Sequence, residues 1–534
     1  MTPRLPAATI AALLSATLLA GCSGTDDRED RDGGGRGIDA RSYYDDYPEV
    51  AMDGDLALAS PMQSSSERRG DPALPPAPDE DDVFVDHDTS GYVSAADDPL
   101  STFALDVDTG SYGVARSLLR DGYRVPPASV RVEEWVNAFA YADAPPTGGD
   151  LGITTETGLA PSLEDGTQLV RVGVAAREVP AAERPRVNVT LVVDRSGSMD
   201  IRNRLGLVQS SLALLADRLR SDDTVSVVSF EDRARPILEP TPISDTDAIL
   251  AAIDELEPGG STNLAAGLRL GYQQAREAFD PDAVNIVVLA SDGVANVGST
   301  GPHSIVDLIQ EEGADGIHLV TVGYGMGNYN DHLMEQLADL GDGFYAYVDD
   351  FDEASRLFGA DLVTTLTPVA ADARTQVAFD PGLVRSYRLV GYDDRSIADG
   401  DFTDPGTDAG ELGAGHHATA LYEVRLAPGV APGTVIGSAA VRWTSVGLGR
   451  DRGDHQEEAR TEVVAADPEA PPSYDLGLAA TVADLAEVLK HARPYDDRGL
   501  TLDDLLVRAQ VLAAADVPGA EELVEVVREA IAAG

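Results

Sequence analysis

The sequence predicts an α/β protein: a doubly wound, mostly parallel sheet, joined to a flanking β-rich domain and ending in a helical C-terminal tail. Three observations carry that reading. Val187 to Val193 is an apolar, β-branched run, the pattern of a strand buried on both faces, and it stops abruptly at Asp194. From Arg186 strand-like and helix-like stretches alternate, as in a parallel sheet covered on both sides. After Pro368 short strands separated by turns rich in Gly, Pro and Asp take over, and from Tyr474 the pattern is helical and amphipathic.

Taken in order, Arg4 and the apolar run Ala7 to Ala20, too short to span a bilayer, read as a targeting signal. The run ends in Leu19-Ala20-Gly21-Cys22, which resembles a bacterial lipobox. That resemblance implies that residues 1–22 form a lipoprotein signal and that Cys22 is lipidated, placing the protein outside the cytoplasm on a membrane by a lipid anchor. Ser23 in the next position would direct it to the outer membrane of a Gram-negative cell; in a Gram-positive cell the same motif would mean the outer face of the plasma membrane. Cys22 is the only cysteine, so on this reading no thiol remains for disulfides, zinc or thiol catalysis. Residues 23–98 read as a disordered acidic tether, rich in Asp, Gly, Ser, Pro and Arg, in which Tyr43-Tyr44 and Val83-Phe84-Val85 are the pieces able to dock.

Order is expected from Pro99. Residues 99–180 read as a separate N-terminal module: a strand into Leu105, helices over Val114–Arg120 and Val130–Tyr141, and strands over Ile153–Leu159 and Gln168–Ala175. Asp106, Asp108 and Ser111 read either as a second cation loop or, more simply, as Asx-type turn caps at a strand end. Residues 181–367 hold the α/β unit. Its expected strands are Val187–Val193, Thr224–Phe230, Val284–Ala290, Ile317–Val322 and Phe344–Val348. Its expected helices are Arg202–Leu219, Asp245–Leu256, Leu264–Phe279, Ser304–Glu312, Asp331–Leu340 and Phe351–Leu366. Residues 368–467 read as a β-rich, sandwich-like domain completed by the strands before residue 180, and residues 468–534 as the helical tail.

The 534 residues carry a formal charge of −53, with Lys490 the only lysine. No basic footprint exists for nucleic acid. The acids are spread throughout, which reads as a solvated adaptation before it reads as a cation-attracting surface.

The chemistry concentrates at Asp194-Arg195-Ser196-Gly197-Ser198. At an extended strand end, alternate residues point the same way, so Asp194, Ser196 and Ser198 are expected to converge while Arg195 points away and Gly197 permits a sharp bend. One acid and two hydroxyls, all oxygen, suit Mg²⁺ or Mn²⁺, with Ca²⁺ a poorer match. On these residues the sequence resembles the von Willebrand factor type A (VWA) domain, whose Asp-x-Ser-x-Ser signature forms a metal-ion-dependent adhesion site (MIDAS). The resemblance implies a Rossmann-like fold with the site at the carboxyl ends of the strands. It also implies two further ligands: Thr262, in Gly259-Gly260-Ser261-Thr262-Asn263, and Asp292, in Leu289-Ala290-Ser291-Asp292-Gly293. In such sites the serines bind directly, the threonine directly or through water, and the aspartates often through water. Few direct ligands are then anionic, so the ion keeps an open position for the Asp or Glu carboxylate of a protein partner. Tyr324 to Asp331 follows another strand and is expected beside the same face.

A second resemblance covers nearly all of residues 99–534. Ser101-Thr102-Phe103-x-Leu105-Asp106-Val107-Asp108-Thr109-x-Ser111-Tyr112, then Arg131-Val132-Glu133-Glu134, Tyr387 to Tyr392 and Asp408 to His416, are similar to a family of bacterial VWA lipoproteins.

Enzyme motifs are missing. There is no phosphate-binding Gly-x-x-x-x-Gly-Lys loop, no His-Glu-x-x-His and no Gly-x-Ser-x-Gly around Ser196. His416-His417 reads as a turn or surface pair. The sequence therefore points to a membrane-anchored, non-catalytic protein that binds a partner through its metal site. The alternatives are an envelope scaffold in which the metal only stabilises the fold, and, at a greater distance, a hydrolase built from dispersed acids.

Overall fold

The computed structural model describes residues 37–48, 84–85, 89–163, 165–180, 182–293, 306, 309, 316–325, 330–361, 367–407, 409–446, 455–492 and 495–534. Cys22 and most of the expected helix at Ser304–Glu312 lie outside the described residues.

The α/β unit is built on six strands: β5 (Arg186–Asp194), β6 (Thr224–Phe230), β7 (Ala234–Pro242), β8 (Ala283–Ser291), β9 (Ile317–Tyr324) and β10 (Tyr345–Val348). Their order is β10-β9-β8-β5-β6-β7, all parallel except β7, which pairs antiparallel to β6 at the edge. Residues of β5 alternate between the two faces. Val187, Val189, Leu191 and Val193 join the core shared with α4 (Leu207–Arg218) and α5 (Thr246–Asp254). Val192 joins the opposite core, with α6 (Leu264–Glu277) and α7 (Asp331–Leu340). Burial on both sides explains why β5 reads as an unbroken apolar run. The sequence does not predict β7. Its Pro236, Pro240 and Pro242 argue against a strand, yet proline is tolerated at a sheet edge, where no further ladder bond is needed.

Two antiparallel sheets flank this unit, and each draws strands from both sides of it. In one, β1 (Val93–Ser94), β12 (Val384–Val390), β14 (His417–Leu426), β4 (Gln168–Ala176) and β3 (Leu151–Leu159) follow in that order. In the other, β13 (Gly410–Gly413), β11 (Pro368–Phe379), β15 (Val435–Ser445) and β16 (His455–Val464) form the path, and β2 (Leu100–Ala104) pairs with β11. Val170, Val172, Val377, Tyr422 and Trp443 from the two sheets share one core. The α/β unit is thus inserted between halves of a sandwich. A fourth core packs α3 (Val132–Asn137), through Trp135 and Val136, against α9 (Tyr474–Leu489), α10 (Leu502–Ala513) and α11 (Ala520–Ala533).

The expectation of a disordered tether over residues 23–98 needs correction at both ends. Residues 37–48 lie on the α/β unit: α1 (Ala40–Asp45) buries Ala40, Tyr47 donates to Asp200 at 3.1 Å, and the Arg202 N–H donates to the Pro48 carbonyl at 2.8 Å. Tyr43-Tyr44, a piece expected to be able to dock, does pack on the α/β core together with Tyr47, and the three rings supply apolar area that a polar chain otherwise lacks. At the other end β1 joins the sandwich, and Ala95 is buried.

In a chain with more than twice as many acids as bases, buried arginines tie the parts together. Arg131, just before α3, reaches Asp331 of α7 at 2.5 Å and also pairs with Glu134. Arg395, in the loop after β12, lies 3.1 Å from both Glu335 and Asp339 of α7, 3.5 Å from Asp106 and 3.8 Å from Asp108. Burial pushes Glu335 up to about 8; Arg131 and Arg395 oppose the shift, while Asp331 and Asp106 add to it. A carboxyl whose folded pKa lies above its unfolded value near 4.5 contributes stability that is complete below that value and is lost as pH rises through 8. The thermal midpoint should therefore fall as pH rises from about 5 to 8. Glu335→Gln should flatten that fall and melt higher than the parent at pH 8; an unchanged slope would contradict the assignment.

Candidate metal site

Parallel pairing brings the carboxyl ends of β5 and β8 side by side, with Val193 opposite Ala290. Asp194 is fully buried there. Its Oδ2 accepts the Ser291 hydroxyl at 2.8 Å, and its Oδ1 accepts the Ser196 N–H at 2.8 Å. Asp292, the residue after β8, is also fully buried. Burial, and then the charge of Asp292, push the Asp194 carboxyl up to about 7; the bonds from Ser196 and Ser291 pull it back. Two carboxylates share this strand-end corner, and each raises the cost of ionising the other.

The hydroxyls arrive by a different route from the expected one. The chain does not stay extended past Asp194. Ser196 leads into a 3₁₀ turn, Gly197–Met199, and that turn sets Ser198 Oγ 3.0 Å from Ser196 Oγ. Ser196 is buried and Ser198 exposed, so the cluster opens to solvent at its serine rim. Arg195 turns away as expected, pairing with Glu231 at 2.5 Å and donating to the Glu257 carbonyl at 2.8 Å. Gly197 does not bend the chain through a left-handed conformation. Instead its N–H donates to the Gly260 carbonyl at 3.1 Å. Gly260 is the glycine that the fold requires: its φ is +77°, and a Cβ there would fall 2.6 Å from Glu231 Oε2. The Gly259 N–H donates to the Arg195 carbonyl at 2.7 Å, so two bonds stitch this loop to the serine turn. Thr262 follows, buried, and Asn263 caps α6 by accepting the Ala266 N–H at 3.1 Å.

Three loops thus carry the five expected residues at the carboxyl edge of the sheet. Asp194, Ser196 and Ser198 are joined through hydrogen bonds, Asp292 acts on Asp194 electrostatically, and the Thr262 loop is bonded to the serine turn. An all-oxygen donor set with two coupled, buried carboxyls fits a hard divalent cation. Two participants were not in the expected set. Ser291 stands directly before Asp292, and a hydroxyl ahead of an acid at a strand end is the signal that could have found it. Arg204 donates to the Ser198 carbonyl at 2.5 Å and lies 3.3 Å from Asp292; no local pattern marks it.

The remaining candidates resolve differently. Asp106 and Asp108 form a turn, with Asp106 Oδ1 accepting the Asp108 N–H at 2.8 Å, and Asp108 Oδ1 accepts the Tyr345 N–H at 2.8 Å. Ser111 donates to the Ser129 carbonyl at 2.6 Å, and the cation beside these acids is Arg395. Among the described residues no group of three or more His, Cys, Asp and Glu side chains could hold a metal ion. His416 takes the turn role, accepting the Gly413 N–H on Nδ1 at 3.1 Å. In the loop expected beside the site, Gly325 packs on the Arg204 side chain; residues 326–329 lie outside the described set.

Comparison with known proteins agrees with this architecture. The von Willebrand factor type A domain family matches residues 188–360, a von Willebrand factor family matches residues 78–171, and the family of the C-terminal region of the uncharacterized protein YfbK matches residues 364–532. YfbK of Escherichia coli (strain K12) is 37% identical over 350 residues, which are 64% of this chain and 61% of that protein. The uncharacterized protein sll0103 of Synechocystis sp. is 32% identical over 189 residues, 35% of this chain and 44% of that one. The chain thus spans less than two thirds of either relative. Among solved structures, a von Willebrand factor type A protein from Catenulispora acidiphila has 18% identity and a TM-score of 0.42, covering 73% of this chain and 92% of that one. VWA domains generally mediate protein–protein interactions and are generally non-enzymatic. The chain carries a VWA domain followed by a YfbK-type C-terminal region and is homologous to the bacterial protein YfbK.

Proposed function

We propose that this protein binds a protein partner through a Mg²⁺-type cation held by Asp194, Ser196, Ser198, Thr262 and Asp292, with no catalysis of its own. The partner presents an Asp or Glu carboxylate. The observation that carries the reading is the pairing of two fully buried aspartates at adjacent strand ends, beneath a rim on which Ser198 is exposed. Such a pair is costly unless positive charge is supplied. When bound, a hard cation supplies that charge and an open position for an anionic ligand oxygen. The chain's own residues do the rest: Ser291 and the Ser196 N–H orient Asp194, and the Gly197–Gly260 bond holds the threonine loop against the serines. The lipobox at Cys22 supports an extracytoplasmic location on a bacterial membrane, on the outer membrane if the cell is Gram-negative. Long-range repulsion between a −53 protein and an acidic partner is screened beyond about 8–10 Å in physiological salt, so the short-range contact decides.

Asp194→Ala and Ser196→Ala should each weaken Mn²⁺ binding at least roughly tenfold and abolish chelator-sensitive capture of a partner from envelope extract, with thermal stability retained. Lost stability with capture intact would instead make the cation a structural part of a scaffold. Capture that persists unchanged in EDTA would exclude a metal-bridged contact. Gly260→Ala should lower stability by about 1–2 kcal/mol through its left-handed φ, and weaken Mn²⁺ binding by displacing the threonine loop. A urea titration and a Mn²⁺ titration on the same sample read both effects; unchanged values in both would show that the loop does not position the site.

A further inference from the structure

The cluster already contains a cation of its own. Arg204 Nη1 donates to the Ser198 carbonyl at 2.5 Å and lies 3.3 Å from Asp292 Oδ2, so one guanidinium bridges the first and third site loops. Its position is held from both sides. Gly325, with φ +71°, packs against the side chain so closely that a Cβ there would fall 2.4 Å from Arg204 Nε. The backbone that carries it is a π-helical turn, Arg202–Gly206, leading into α4. Arg202 of the same turn is anchored to residues 37–48, its Nε donating to the Tyr47 carbonyl at 3.0 Å. Such turns are rare and recur at functional sites.

A guanidinium keeps its charge at every physiological pH. Beside Asp292 it supplies part of the positive charge that the aspartate pair needs, and it occupies part of the field that would draw in a divalent ion. We infer that Arg204 is a specificity-determining residue of this site: a built-in counter-charge that holds Asp292 in the cation-free protein and lowers the affinity for a divalent cation. The inference rests on the cation-binding reading above. A plain structural strut would make the opposite prediction, because removing a strut loosens the ligand cluster and weakens binding.

The test is a Mn²⁺ titration of the full chain, followed by the paramagnetic resonance of the free ion, on wild type, Arg204→Gln and Arg204→Lys. Glutamine keeps a shorter amide side chain without the charge; lysine keeps the charge. Arg204→Gln should bind Mn²⁺ more tightly, by roughly ten- to a hundredfold, and Arg204→Lys within about threefold of wild type. Saturating Mn²⁺ should also raise the thermal midpoint of Arg204→Gln by more than that of wild type. If Arg204→Gln is unfolded without the ion, saturating Mn²⁺ should restore its fold; persistent unfolding would overturn the inference. Equal or weaker binding by Arg204→Gln, beside a wild type that does bind, would overturn the inference and leave the proposed function standing. Binding by Arg204→Gln alone would support the counter-charge and remove the cation from the native function. No binding by any of the three would overturn both.

Discussion

Two aspartates that repel one another at the ends of neighbouring strands set the terms for the rest of this structure. Taking a carboxylate out of water costs several kcal/mol, and a second one close by adds to that cost. The parallel register of β5 and β8 forces Asp194 and Asp292 together, and every nearby feature acts to compensate. Ser291 and the Ser196 N–H donate to Asp194, and Arg204 lies against Asp292. The serine turn and the Gly260 loop close over the same corner through their own hydrogen bonds. The compensation within the chain is incomplete: Asp194 still holds its proton far more tightly than an ordinary carboxyl does. A corner built in this way is short of positive charge, which is why it reads as a place for a cation.

Charge also governs how the parts are joined. The chain has few bases, and the described structure places several where separate elements meet. Arg116 in α2 (Gly110–Arg120) contacts Asp349, Glu353 and Glu522, joining α2 to the end of β10, the following helix and α11. Arg131 and Arg395 meet around Glu335 of α7. Arg388 of β12 reaches Glu487 of α9 at 2.7 Å. The VWA unit is thus clamped by a sandwich whose strands come from before and after it in sequence, and the corner that carries Asp194 and Asp292 sits on a body tied down on several sides.

Much of the fold was legible because its signals are local. A strand buried on both faces must be apolar throughout, so Val187 to Val193 declared itself, and with it the position of the site at the strand's end. The helix over Asp331–Leu340 showed its amphipathic spacing directly. The features that escaped depend on partners far away in sequence or on competing local signals. Prolines disguised β7 as a loop. Strand alternation suggested a route by which Asp194, Ser196 and Ser198 meet, whereas a 3₁₀ turn brings the serines together. The polar average over residues 23–98 favoured a tether although Tyr43-Tyr44 stood out as able to dock, and Tyr47 beside them went unnoticed. Arg131 and Asp331 are 200 positions apart, and Arg204 and Asp292 are 88 apart; no window of sequence reports such pairs.

On the proposed function, these three loops hold one hard cation. Anomalous diffraction from crystals of the full chain grown with Mn²⁺ tests it most directly, because the ion reports its own position. One strong peak is expected, bounded by Ser196, Ser198 and Thr262, with Asp194 and Asp292 behind it. A peak elsewhere, or none at this corner with Mn²⁺ in excess, would contradict it.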